Sequence, residues 1–350
     1  MYYRITLLTR IVLFIWMTAC SFFVSAQSLF VDPLRGKANA PGSRELPLAS
    51  LEEAVALANQ FRGSEPVKIE LAPGLYVLDK QVLIDSIPGG AVAPYIIEAQ
   101  VMPDDSGWRP EKMPVIQSVS ANNKDYGKFD HCIGIQVERS HVQLRGLKFT
   151  GNSNPSVDYY YPIERHRPDL SGLDISQCYF IGDRNMSPIQ GAVFAQGPEI
   201  HIDHSIFYGC KNAVLVFLGI DHFSLTHSII YGAYEGAFWF GYGASADLPF
   251  TFSDNIVTNG NYFFVGYKGV HPTYTFRHSL ISGNAHYLGF NGDSLQVDRQ
   301  NRPRELDIRK TGRVLLSEIT AKGVPGDYLN LAPGSAGRDL DAGIFLRVSR

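Results

Sequence analysis

Three residues within five positions carry proton-transfer chemistry: Tyr267, Lys268 and His271. Such a group can take the proton next to a carboxylate, provided a positive centre neutralises that carboxylate as charge develops. Arg165 and Arg167 can supply the centre as planar forks. A Ca²⁺ ion held by Asp221, Glu235 or Asp247 is the alternative. Trp239, Tyr242, Phe290 and Asn291 stand on nearby apolar runs and offer the flat faces and polar tips that hold a sugar ring. Hydrolysis would instead need two facing carboxylates, about 5 or about 6.5–9.5 Å apart. Glu199, Asp221, Glu235 and Asp247 are the acidic residues near these runs, and they form no motif.

A second polar feature is periodic. His204, His227, Asp254 and His278 occupy the third position of a recurring phrase, after Gly146 and Gln177 in its first two copies. Two stacked imidazoles beside a carboxylate have metal-ligand chemistry. Gly146 and Gln177 continue the column without it, so the expectation is a hydrogen-bonded ladder of turn residues and no metal. The fourth position holds Leu147, Cys178, Ser205, Ser228, Asn255 and Ser279, a column of mostly small residues expected to point inward.

The phrase itself dictates the elements that position these groups. It reads LRGLKFTG, ISQCYFIG, IDHSIFYG, LTHSIIYG, FSDNIVTN and FRHSLISG, starting at residues 144, 175, 202, 225, 252 and 276. A repeat of this period belongs to stacked units that bury their apolar faces only against one another. From the third copy on, the copies alternate with a second apolar run: AVFAQ from Ala192, VLVFL from Val214, AFWFGY from Ala237, YFFVGYK from Tyr262 and, after the last copy, YLGFN from Tyr287. Continuous apolar runs with short links suit parallel strands, and no helix-length segment separates them. The expected fold is therefore all-β, a right-handed parallel β-helix, with regular coils over about residues 133–320. Ser50 and Glu53 form a capping box, and the apolar spacing that follows predicts a helix over residues 51–61 that covers the first coil. Two insertions interrupt the rhythm, Asn152 to Asp169 and Asp293 to Arg313. Excursions of this kind are where binding usually sits.

Composition narrows the partners. With 350 residues, a net charge of −3 and 19% charged residues, the chain has no basic surface for nucleic acid. Arg4 and Arg10, the apolar run Ile11 to Val24 and the small residues Ser25 and Ala26 read as a signal peptide over residues 1–26, leaving 27–350 as one domain. That predicts a secreted, periplasmic or cell-surface protein with no membrane span. Lipid anchoring at Cys20 is the rival reading. The remaining Cys132, Cys178 and Cys210 are expected as buried thiols.

The segment GKANAPGSRELPLASLEEAVALA, the LAPGLY from Leu71 and the ending LAPGSAGRDLDAGIF from Leu331 resemble secreted right-handed parallel β-helix proteins of the pectate-lyase-like superfamily. The resemblance covers essentially the whole chain after residue 26. It implies a polysaccharide partner and, in many members, a polysaccharide lyase or glycoside hydrolase. The paired aspartates and Gly-His-Gly of the polygalacturonase-like hydrolases are missing, and no catalytic residue carries over. The expected function is an exported monomer acting as a lyase on an acidic, uronate-containing polysaccharide. The alternative is a non-catalytic carbohydrate-binding or surface structural protein.

Overall fold

The computed structural model describes residues 27–62, 64–86, 93–125, 129–243, 249–267 and 274–344. Residues 1–26, and with them the expected signal peptide and Cys20, lie outside this set. The described chain is almost entirely strand, gathered into one sheet of 17 strands and one of 10. Nearly every pairing is parallel. The antiparallel pairs are peripheral, Lys124–Asp125 on Asp130–Val137 and Leu295–Val297 on His286–Asn291.

The recurring phrase supplies the long sheet. Its first half forms the strands Val142–Arg145, Leu173–Ser176, Ile200–Asp203, Phe223–Thr226 and Phe250–Ser253, each paired in register with the next. Its second half forms Lys148–Thr150, Tyr179–Ile181, Ile206–Tyr208, Ile229–Tyr231 and Ile256–Thr258, again paired in order. The pairing reaches back through Tyr95–Ala99 and Val67–Leu71 to Gln27–Val31. Register stacks like on like inside. Phe149, Phe180 and Phe207 pile up with centroids 5.0 and 4.8 Å apart and planes within 6° of parallel.

Between the two halves the chain must turn sharply, and the third position does this. Gly146, Gln177, His204, His227, Asp254 and His278 all have φ between 33° and 66°. Gly, Asn, Asp and His tolerate this left-handed conformation best, which explains most of the column's composition. The hydrogen-bonded ladder lies one residue later. The Cys178 amide donates to Ser205 Oγ, Ser205 to Ser228 Oγ, Ser228 to Asn255 Oδ1 and Asn255 to Ser279 Oγ, over 2.9–3.3 Å. This ladder runs down the inward fourth column, because those side chains reach amides left open by the turn. In the third column, where the ladder is expected, His278 Nδ1 pairs with Asp254 Oδ1 at 2.5 Å.

The short sheet is built from the runs upstream of each phrase. Asp130–Val137, Tyr160–Arg165, Val193–Ala195, Asn212–Leu218, Gly236–Gly243, Tyr262–Tyr267 and His286–Asn291 pair successively. Tyr160–Arg165 lies within what reads in sequence as an excursion. It is a strand whose residues are all buried. The second insertion contributes a peripheral strand, Arg304–Arg309, which pairs with Thr275–Ser282. Its charged residues suit a strand at the end of a sheet, where charge discourages further pairing.

At the start, the helix Leu51–Ala58 buries Leu51, Ala54, Val55 and Ala58 against the core. The Glu53 amide donates to Ser50 Oγ at 3.2 Å. The helix ends three residues before the predicted boundary. At the other end, the chain after Arg313 returns across the outside of the long sheet. Val314, Leu329, Leu340 and Ile344 pack on Tyr179, Ile206, Ile229, Ile256 and Leu280. The Tyr179 hydroxyl donates to the Tyr328 carbonyl at 2.7 Å, and the Gly343 amide to the His227 carbonyl at 2.8 Å.

Cys132, Cys178 and Cys210 are free and buried. Burial pushes the Cys178 and Cys210 thiols up to about 12, where no nucleophilic thiolate forms at neutral pH. Iodoacetamide at about pH 8 is expected to leave both unmodified in the native protein and to label both after denaturation, as read by mass spectrometry. Native labelling within minutes would show that the core around them opens.

Candidate functional site

Alternation on the short sheet sends one row of side chains to the core and the next outward. The outward row builds an apolar cluster of Tyr161, Leu215, Trp239, Tyr262 and Val265, flanked by Tyr159, Phe194 and Phe217. Gly236 makes room for the indole: a Cβ there would lie 2.3 Å from Trp239 Nε1. Packing side by side leaves Trp239 only 8% exposed, with its indole N–H donated to Asn212 Oδ1 at 2.6 Å. The face is aromatic as expected, but Trp239 is a largely covered member of it and no open platform.

The other expected site residues scatter. Tyr267 is half-buried at the C-terminal end of its strand, edge-on to Phe217 at 6.3 Å, and register places Asn291 beside it. Phe290 is half-buried on the last long strand of the short sheet, where register places it beside Gly266. Tyr242 belongs to the strand Gly236–Gly243, with its side chain outside the described set. Lys268, His271 and Asp247 lie outside the described residues.

Both expected arginines already have partners. Arg165 is fully buried; its Nε donates to the Gln196 carbonyl at 2.8 Å and its Nη2 to the Pro198 carbonyl at 3.1 Å. Burial pulls its pKa down to about 10, against Asp174 and Glu199, so it stays charged at neutral pH. Its Nε and Nη2 are committed to the main chain. Arg167 is exposed, but its fork is closed on Asp169, two residues away.

A different pair of cations comes together. At the N-terminal edge of the short sheet, the loops that enter four successive strands enclose a cleft of about 600 Å³. Asn154, Asp158, Tyr159, Arg184, Gln190, Lys211 and Tyr234 line it. Arg184 holds its guanidinium 5.1 Å over the Tyr234 ring, and Lys211 Nζ lies 5.8 Å over the Tyr159 ring. Each contact orients a cation without neutralising it. Arg184 is exposed, and among the described residues no carboxylate pairs with it. Lys211 Nζ lies 3.5 Å from Glu235 Oε1, while Glu235 Oε2 accepts from Asn212 Nδ2 at 2.8 Å. Asn212 in turn accepts from Trp239, so one polar chain links the cleft to the aromatic face. Burial raises the Tyr234 hydroxyl above its ordinary value, with Cys210 and Glu235 adding to the effect against Arg184.

Sequence reasoning missed Arg184 and Lys211. One signal was readable. Asn212 and Gly236 pair in register, so Lys211 and Glu235, each one residue earlier, are neighbours on adjacent repeats. Arg184 carries no such mark, since the turn Asp183–Met186 that presents it is held locally by the Asp183 carboxylate.

No protein-family model and no curated protein matches the chain. Among solved structures, it is similar to a rhamnogalacturonan lyase at 11% identity and a TM-score of 0.43, covering 91% of this chain and 100% of that one. It is also similar to a glycoside hydrolase at 9% identity and a TM-score of 0.40, covering 81% and 97%. A lacto-N-biosidase from Eubacterium ramulus is similar at 10% identity and a TM-score of 0.41, covering 85% of this chain and 70% of that one.

Proposed function

We propose that this chain is an exported, monomeric right-handed parallel β-helix that acts on an acidic polysaccharide at the cleft beside its aromatic sheet face, as a uronate lyase. One observation carries the reading: Arg184 and Lys211, each poised over a tyrosine ring, line one cleft at the edge of that face. Arg184, with its planar fork unpaired, is the group to take the uronate carboxylate. Neutralising that carboxylate makes the adjacent C–H proton removable. Once it has passed its own proton to Glu235, 3.5 Å away, the neutral Lys211 amine is placed to take that C–H proton while the bond to the leaving sugar breaks, the double bond forms and Glu235 returns a proton to the leaving oxygen. Tyr159 and Tyr234 offer ring faces for the sugar. In this scheme the Arg184 guanidinium supplies the positive charge that a Ca²⁺ ion would otherwise provide.

The Lys211–Glu235 ion pair favours a second reading. A lysine held protonated is a poor base but a good anion ligand, which describes a non-catalytic binder. One experiment separates the two. Purified protein is incubated with a panel of polyuronates, and absorbance is followed near about 235 nm, where the double bond made by β-elimination absorbs. A lyase gives a rising signal, and Arg184→Ala and Lys211→Ala each lower kcat/KM by about 10²–10⁴-fold. A binder gives no signal but retains polymer, with salt-sensitive affinity that falls about tenfold in either variant. If neither elimination nor binding is found, or if both variants match the parent, the cleft is not the site. Lys268→Ala and His271→Ala are compared in the same assay.

A further inference from the structure

The left-handed turn column holds a second constellation, outside the lining of the cleft. Asp203 and Thr226 pair in register at the ends of adjacent strands, and His204 and His227 follow them. Register and the shared turn conformation stack the two imidazoles with centroids 4.5 Å apart and planes 9° from parallel. Asp203 lies against both rings. Its Oδ2 is 2.6 Å from His204 Nδ1, and its Oδ1 is 3.1 Å from His227 Nδ1. Thr226 Oγ1 donates to that same Oδ1 at 2.7 Å and orients the carboxylate. One ligand atom from each of Asp203, His204 and His227 falls within 4.8 Å of the other two.

The geometry points to a divalent transition-metal site formed by Asp203, His204 and His227, tying two adjacent repeats together at their turn. Two imidazole nitrogens and one carboxylate suit Zn²⁺, Co²⁺, Ni²⁺ or Cu²⁺, whereas Ca²⁺ and Mg²⁺ prefer all-oxygen sets. In a tetrahedral site with bonds of about 2.0–2.1 Å, ligand atoms stand roughly 3.3 Å apart. Nitrogen–oxygen separations of 2.6 and 3.1 Å must open by a few tenths of an ångström, and the more exposed His227 ring must rotate out of its parallel stack so that both nitrogen lone pairs meet at one ion. The carboxylate is ready as a ligand. The two imidazole Nδ1 atoms and the Thr226 hydroxyl all converge on its two oxygens. Binding would replace the protons that now bridge the carboxylate and the rings, so it would release protons and fail in acid. None of the three residues lines the cleft that holds Lys211, so the ion would clamp the scaffold and take no part in chemistry there.

The test is a titration of the purified, metal-stripped protein with Co²⁺, followed by Zn²⁺ competition. The expected result is one Co²⁺ per chain with the visible absorption bands of a four-coordinate ion, displaced by Zn²⁺, and a higher melting temperature in Zn²⁺. His227→Asn tolerates the turn conformation and should keep the native circular dichroism. It should weaken Co²⁺ binding at least tenfold and abolish the Zn²⁺-dependent rise in melting temperature. His278→Asn, two repeats along the same column, serves as control and should bind like the parent. Absence of stoichiometric binding at about 100 µM ion, or equal losses in His227→Asn and His278→Asn, would overturn the site in favour of an unmetallated stack.

Discussion

Replacing Phe180 by Ala is expected to lower the unfolding free energy by about 3–5 kcal/mol, among the largest effects of any single substitution. Phe180 is fully buried between Phe149 and Phe207, almost parallel to both. Its strand is register-locked on each side, so neither neighbour can slide to fill the space a truncation leaves. The cavity therefore persists, and two ring contacts worth about 0.5–1.5 kcal/mol each disappear with it. Phe180→Leu keeps most of the volume and should cost about 1–2 kcal/mol. Urea unfolding followed by circular dichroism gives both values. A loss below about 1 kcal/mol for the alanine variant would mean that the stack relaxes and the register is not rigid.

Arg165→Ala should be comparably damaging, by about 3–5 kcal/mol, and for a different reason. The deleted guanidinium leaves the Gln196 and Pro198 carbonyls without their donors in a buried setting, at about 1–3 kcal/mol each, on top of the space vacated by the side chain. Arg165→Lys restores one donor and should recover part of the loss. The same pair of variants decides whether Arg165 is a substrate ligand. A structural role predicts a lowered urea midpoint, with polymer affinity unchanged in whatever fraction stays folded. A drop in affinity at parental stability would return Arg165 to the site.

The scaffold was legible because its constraints are local and repeated. One eight-residue phrase contains both the turn position that demands a left-handed backbone and the apolar positions that face the core, so aligning copies exposes both. The capping helix was legible for a similar reason, since Ser50 and Glu53 act within one turn. Arg165 was misplaced because Tyr159–Arg167, rich in tyrosine and charge, looks like a wet loop. Only pairing with Asp130–Val137 and Val193–Ala195 makes Tyr160–Arg165 a strand, and only then does an arginine turn to main-chain carbonyls. The cleft was illegible as a motif. Its cations come from separate loops that meet because the strands they feed pair in order, and no single stretch of sequence carries their spacing.

The returning C-terminal segment has a consequence in time. Stacked repeats can settle one after another as the chain lengthens, since each needs only its neighbour. Here the outer faces of Tyr179, Ile206, Ile229, Ile256 and Leu280 wait for Val314, Leu329, Leu340 and Ile344, the last of them made some 165 residues after Tyr179 (344 − 179). Until those residues arrive, a stripe of isoleucine and tyrosine stands open to water and to other chains. The final 31 described residues, 314–344, thus act as a completion signal. They convert an array that could fray from either end into one whose finishing stitch crosses its middle.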